Sequence, residues 1–189
     1  YMSAKTFLAQ AEQGFENLEI SEEHRQSALK NLEIWLTDAA FAEYTPQIEY
    51  WIETQKWAKL LDAFYQVIPF GTGGRRGLVG IGPNRINPWT IQASAQGHSQ
   101  YLLREYSVDA AKRGVVLAYD ARVFTDMTDY DLNRPNPLLN LSGRELALKA
   151  AEVYTANGIM VQLFNTPRST PQLSFAIRYL NAISGDMFS

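Results

Sequence analysis

The stretch SGRELALKAAEVYTANGIMVQLF, residues 142–164, decides the fold. Its first seventeen residues read as a helix with both ends marked. Ser142 and Glu145 have the spacing of a capping box, and Gly158 stands where a helix closes. The next run, IMVQLF (159–164), is short and apolar, as a buried strand is. Working outward, VVLAY (115–119) is a second such run, rich in β-branched residues. Downstream, Thr170 as N-cap and Pro171 as N1 open a helix whose inner face is Leu173, Ala176, Ile177 and Leu180. GDMFS (185–189) then begins a third strand. Strand, helix, strand, helix, strand predicts a parallel sheet with right-handed crossovers. The fold class is α/β, a parallel-rich sheet flanked by helices.

Upstream the rhythm is helical. Leu8, Ala11, Phe15 and Leu18 recur at helical spacing. Ser21 then caps a second helix that carries acids in its first turn and an apolar stripe of Ala28, Leu32, Trp35 and Leu36. Two shorter helices follow around 46–54 and 56–65, so residues 1–66 read as an all-helical N-terminal extension to an α/β domain at 67–189. Trp35, Trp51 and Trp57 read as packing anchors there rather than sugar-stacking platforms. A long helix is predicted from Trp89 to Lys112, with Pro88 near its start and Gly114 to end it. His98 falls on its buried stripe with Ile91, Ala95 and Leu102 and reads as a structural histidine with a satisfied partner. The segment 120–141, rich in Asp, Asn and Pro, is predicted as loop.

Composition narrows the chemistry. The 189 residues suffice for one domain with an appendage, and 46% are hydrophobic against 20% charged. The net charge of −3 argues against nucleic-acid binding by bulk electrostatics. With no cysteine, disulfides, thiolate catalysis and cysteine-held zinc are excluded, and two histidines leave little for a histidine-rich metal site. Neither a signal-peptide core nor a run of membrane-spanning length occurs, which reads as a cytoplasmic protein with no membrane partner. Asn140-Leu141-Ser142 matches a glycosylation sequon by chance. Asp126, Asp129 and Asp131 lack the fixed spacing of a calcium loop and read as a solvated loop rather than a cation site.

The stretch PFGTGGRRG (69–77) places four glycines and a threonine around two adjacent arginines. Glycine allows a tight turn and close approach to a ligand, and the arginine fork suits phosphate or carboxylate. Any anion site in this acidic chain must be such a local concentration of positive charge. A phosphate-binding module complete in itself would carry a Gly-rich turn between strand and helix, whereas this loop precedes the first clear buried strand by nearly forty residues. A noncatalytic interaction domain, with residues 1–66 as partner surface, is the other reading of a different class.

Three segments in fixed order resemble one family, the α-D-phosphohexomutases (phosphoglucomutase and phosphomannomutase). FGTGGRRG (70–77) is similar to the family's FGT-[SAG]-G-x-RG loop, and VVLAYDAR (115–122) to its V-V-x-x-x-D-x-R strand end. STPQLSFAIRYLNAISGDMFS (169–189) resembles the helix and strand leading into the catalytic serine motif. GIGPNRINPWTIQASAQG (80–97) is similar to a segment of the subgroup that includes phosphopentomutases and glucose-1,6-bisphosphate synthases.

The resemblance implies a reaction: phosphoryl transfer between the C1 and C6 (or C5) oxygens of a sugar, through a phosphoserine and a bisphosphorylated intermediate. It implies Mg2+, held by parts of the protein outside this sequence, and a glucose 1,6-bisphosphate-type activator. The partners it implies are a phosphosugar and further domains of the same protein. Arg76 aligns with the family arginine that faces the phosphoserine and the bound phosphosugar. Thr72, Gly73 and Gly74 would shape the loop so that Arg76 points into the cleft. Arg75, where the family usually has an uncharged residue, is open between an added phosphate contact and a solvated side chain. Asp120 and Arg122, at a strand's carboxyl end, are open between a supporting role at the site and a structural ion pair. The alignment makes Ser189 the residue two before the expected nucleophile, not the nucleophile itself. The sequence therefore reads as a piece cut near its own site and inactive alone.

Overall fold

The computed structural model describes residues 3–189. The chain divides into two compact units: residues up to Asn87 together with Thr125–Leu139, and Pro88–Phe124 together with Asn140–Ser189. Among the described residues no helix is long and apolar enough to cross a membrane.

The first unit is built on helices α1 (Ala4–Glu16), α2 (Glu22–Thr37), α3 (Thr45–Glu53) and α4 (Trp57–Phe64). Ser3 and Ser21 cap α1 and α2 by accepting backbone N–H groups, of Thr6 and His24 respectively. The core joins Phe7, Phe15, Leu32, Ile48 and Phe64 around Trp35 and Trp51, both almost fully buried. Trp35 stacks on Phe41 with ring centroids 4.3 Å apart. Trp57 lies against Gly14, where a side chain would collide with the indole. The tryptophans are packing anchors, as expected.

Segment 125–139 folds onto these helices through buried polar contacts. The Gln47 amide, with no exposed surface, donates to the carbonyls of Asp131 (2.8 Å), Arg134 (3.1 Å) and Pro135 (3.2 Å) and accepts from Asp131 N (3.0 Å). Trp51 Nε1 donates to Asp129 O at 2.8 Å, and Arg134 pairs with Glu53 at 2.5 Å. The segment is irregular, as predicted, but it is tied down rather than solvated. Its three aspartates point to cations and caps of their own chain. Asp129 accepts from Lys56 (2.9 Å) and Lys59, Asp131 pairs with Arg134 (3.2 Å), and Asp126 accepts from Thr128 (2.7 Å).

The second unit is the α/β part. Strands β3 (Val115–Tyr119), β4 (Val161–Leu163) and β5 (Ser184–Phe188) form a parallel sheet in the order β4-β3-β5. Strands β1 (Phe70–Gly71) and β2 (Gly74–Arg75) form a hairpin of the first unit. Helix α7 (Gly143–Ala156) connects β3 to β4, and α8 (Thr170–Tyr179) connects β4 to β5. The first connection steps to one side of β3 and the second steps back across it, so right-handed crossovers put the helices on opposite faces. Side chains of β5 agree. Asp186 is bonded to Tyr154 of α7, while Gly185 lies against Ile177 of α8 and Met187 packs in the α8-side cluster with Val116, Ala118 and Leu173.

The predicted capping box is present, Ser142 accepting from Glu145 N and Glu145 accepting from Ser142 N. Three expectations need correction. The helix predicted from 89 to 112 is two, α5 (Pro88–Tyr106) and α6 (Val108–Arg113), broken at Ser107, which takes φ 46°. Periodicity cannot register one residue that leaves the right-handed region. The strand predicted at 159–164 is shorter, and only half-buried because it lies at the sheet's edge. The cap of α8 is Ser169, one residue earlier than Thr170, because Gln172 completes a capping box with it. His98, on α5, has its Nδ1 2.7 Å from the Tyr154 hydroxyl and 3.6 Å from Asp186, the satisfied histidine expected.

Candidate functional site

The glycine-rich stretch is a small antiparallel hairpin in the first unit. β1 (Phe70–Gly71) pairs with β2 (Gly74–Arg75), Phe70 opposite Arg75 and Gly71 opposite Gly74. Two residues, Thr72 and Gly73, make the turn, and Gly74 takes φ +143°. The hairpin walls a hollow of about 270 Å³ lined by Pro69 to Gly74 and Arg76. The structure thus gathers Thr72, Gly73, Gly74 and Arg76 around one cavity.

The hairpin stands on a rigid base. Ile68 N donates to Pro83 O at 2.9 Å, and the Asn87 amide, fully buried, donates to the carbonyls of Gly80 and Gly82, both at 2.9 Å. Gly82 takes φ +110°, and a Cβ there would come within 2.5 Å of Ala63 O, so only glycine fits. Arg85 is buried, ion-paired to Asp62, and donates to Asp62 O at 3.2 Å and Asn84 O at 3.0 Å. The GPNRIN segment therefore folds the ground under the loop, with its polar groups satisfied internally.

The two arginines differ. Arg76 is exposed and lines the hollow. Arg75 is half-buried and is not among the hollow's walls, and its Nε and Nη1 are shielded from water without a hydrogen-bond partner. Burial alone pulls its pKa down.

Asp120 and Arg122 belong to the second unit, at the carboxyl end of β3. Asp120 N donates to Phe188 O at 3.0 Å and so continues the ladder with β5. Its carboxylate accepts from Arg122 N (3.0 Å) and Arg122 Nε (2.5 Å), while the rest of the Arg122 side chain is open to solvent. The contact is a local ion pair at the edge where open α/β sheets bind ligands. Ser189 follows β5 and is exposed. Sequence reasoning passed over Arg168, which the structure sets at this same edge, its backbone N–H bonded to Tyr119 O at 2.9 Å. The only signal for it was position, between the end of a strand and a helix cap.

Among the described residues no group of three or more histidine or acidic side chains could hold a metal ion. The nearest candidates in sequence, Asp126, Asp129 and Asp131, are spent on Thr128, the two lysines and Arg134.

The chain thus holds an open parallel α/β unit and, elsewhere, a cationic glycine hairpin, and relatives narrow its class. Residues 139–189 match the family described as phosphoglucomutase/phosphomannomutase, alpha/beta/alpha domain I. A phosphoglucomutase of Staphylococcus haemolyticus is 35% identical over 126 residues, 67% of this chain and 19% of that protein. A phosphoglucomutase of Staphylococcus saprophyticus is 32% identical over 137 residues, 72% of this chain and 21% of that protein. The phosphopentomutase of Homo sapiens is 31% identical over 131 residues, 69% of this chain and 19% of that protein. No solved structure matches the chain. Residues 139–189 belong to domain I of the phosphoglucomutase/phosphomannomutase family, and the similarity to its members extends over about two thirds of the chain. It spans about a fifth of the length of the curated relatives it matches.

Proposed function

We propose that this chain is part of a phosphosugar mutase, with residues 67–189 its first α/β domain and 1–66 a helical extension to it. The protein moves phosphate between sugar C1 and C6 (or C5) oxygens through a phosphoserine and a bisphosphorylated intermediate. In the alignment with the family motif the expected phosphoserine stands two residues after Ser189. The phosphoglucomutases and phosphopentomutase among the relatives support the reaction type. The GPNRIN segment supports the subgroup that contains phosphopentomutases. The reaction is placed in the cytoplasm.

The observation that carries the site is Arg76, an exposed guanidinium on the wall of a hollow that glycines hold open. A fixed cation whose fork matches phosphate oxygens stabilises charge on the transferring group without reorganising. Thr72, Gly73 and Gly74 give the loop its shape. Arg75, with two unpaired nitrogens, is a second cation for the same class of ligand. Asp120 orients Arg122 at the sheet edge. Mg2+, which would screen phosphate charge, and a glucose 1,6-bisphosphate-type activator belong to the reading. The described acidic residues do not fit the metal, so its ligands come from other parts of the protein.

Assay of the full-length protein that contains this chain, with glucose 1-phosphate, mannose 1-phosphate and ribose 1-phosphate, tests this. At least one should be converted to its 6- or 5-phosphate, and Arg76→Gln should lower kcat by about 100-fold, as for loss of one charge-stabilising donor. Conversion of none of the three, or an Arg76→Gln protein as fast as the wild type, would overturn the proposal.

A further inference from the structure

The two faces of the parallel sheet are covered unequally. On one face α5 and α7 lie side by side, joined by the His98–Tyr154 contact and by the Gln96 and Asn157 amides, which bond each other at 2.8 and 3.3 Å. On the other face α8 stands alone. It packs on β3 and β5, and among the described residues no helix runs beside it. Packed helices lie roughly 8–10 Å apart and strands about 4.8 Å apart, so one helix covers about two strands. The β4 side of this face is left open, and β4 is only half-buried.

What lies open there is apolar. A hollow of about 520 Å³ runs between Phe164, which follows β4, and the side of α8 that carries Gln172, Phe175, Tyr179 and Leu180. Phe175 and Tyr179 are 61% and 76% exposed, and their rings stack on each other with centroids 5.6 Å apart. These positions recur every three or four residues, so the hollow follows the α8 axis for about two turns. A continuous aromatic face of this kind marks a place where another element packs. Its single charge is Arg168, whose guanidinium lies over the Phe164 ring at 5.6 Å and donates to the Pro167 carbonyl at 2.9 Å. No carboxylate among the described residues pairs with it, in contrast to Arg85, Arg122 and Arg134.

We propose that this face is the seat of a helix from a part of the same protein outside these 189 residues, apolar toward Phe175 and Tyr179 and bearing a carboxylate toward Arg168. That helix lies along α8 and completes the layer over β4, as α5 lies along α7 on the other face. Length favours an occupant from the same protein: the chain spans about a fifth of each relative it matches. Charge disfavours a second copy. In a two-fold contact of this face with itself, Arg168 would meet only uncharged groups or another Arg168. The inference rests on the reading of this chain as part of a longer mutase.

The test uses the purified full-length protein that contains this chain. Phe175→p-benzoylphenylalanine and Tyr179→p-benzoylphenylalanine place a photo-crosslinker on the face. Irradiation should leave the mass of a single chain, and peptide mapping should join α8 to a segment outside the 189 residues. Arg168→Met keeps the packing on Phe164 but loses the charge, and should lower Tm by about 2–4 °C, while Arg168→Lys should restore part of the loss. The inference fails if irradiation gives a product of doubled mass, links only within residues 1–189, or no link at either position. It also fails if Arg168→Met melts with the wild type. Turnover of sugar phosphates is read separately. The expected link in a protein that converts none of them would sink the mutase reading and leave the seat standing, and conversion without the link would do the reverse.

Discussion

Tyr154 shows how one side chain ties an edge strand to the body of its unit. The residue is fully buried on α7, its hydroxyl donates to Asp186 on β5, and it receives His98 Nδ1 from α5 at 2.7 Å. A one-residue slip of β5 would carry Asp186 to the apolar α8 face, where Val116, Ala118 and Leu173 offer nothing to accept or donate. Burial, and then the Asp186 carboxylate, push the Tyr154 phenol far above its ordinary pKa of 10.0. Tyr130, in the first unit, is pushed up to about 12, mainly by burial. A raised folded pKa means that the folded state holds the proton more tightly than the unfolded chain. This stability is complete below pH 10 and is lost as pH rises from there toward the folded values. Unfolding by urea at pH 8 to 11.5 should show stability falling above about pH 10. Tyr154→Phe should lower stability at pH 8 by about 1–2 kcal/mol and flatten the alkaline decline. An alkaline slope equal in variant and wild type would refute the assignment.

At the scale of elements, the junctions matter more than the runs they join. Gly114 ends α6 and opens β3 with φ +65°, and an added Cβ would collide with Met160 O, the carbonyl that accepts from Val115 N at 2.9 Å. Gly114→Ala therefore meets both a left-handed backbone and a backbone clash. It should cost more than the roughly 1–2 kcal/mol of the left-handed conformation alone, read as a shift of the urea midpoint with unchanged slope. A cost near zero would mean that the junction can move.

Such junctions also mark how far the sequence could be read. The capping box at Ser142 and Glu145, the run Val115–Tyr119 and the closing Gly158 are local signals, written in adjacent residues, and the structure follows them. The break at Ser107 has no local signal, because serine is neither glycine nor proline and the apolar stripe continues past it. β4 reads as buried because its composition is apolar, yet burial depends on which strand ends at the edge, a property of topology. The glycine hairpin was legible as a loop around cations. That Arg75 would be shielded and unpaired while Arg76 lines the hollow depends on packing that no spacing encodes. Arg168 was invisible for the same reason, since its place follows from strand order.

At the scale of the whole molecule, the chain makes two passes through each compact unit. The first unit is closed by segment 125–139, which returns to the N-terminal helices after the chain has already built β3. That return hangs on Gln47. Its amide satisfies four backbone groups of the segment, three carbonyls and one N–H, from a position with no exposed surface. Gln47→Leu would leave those groups without partners beside an apolar side chain, at a cost of about 3 kcal/mol if water reaches most of them and more if it does not. The second unit has a core of its own, Val115 to Tyr119 with Leu146, Ala150, Tyr154 and Leu173, and none of it depends on Gln47. Hydrogen exchange should therefore separate the two. In Gln47→Leu, protection should fall across α1–α4 and 125–139, while the amides of β3 and β5 keep their wild-type rates. If β3 and β5 lose protection in step with the helices, the units fold as one cooperative body, and the division by packing is not a division of stability.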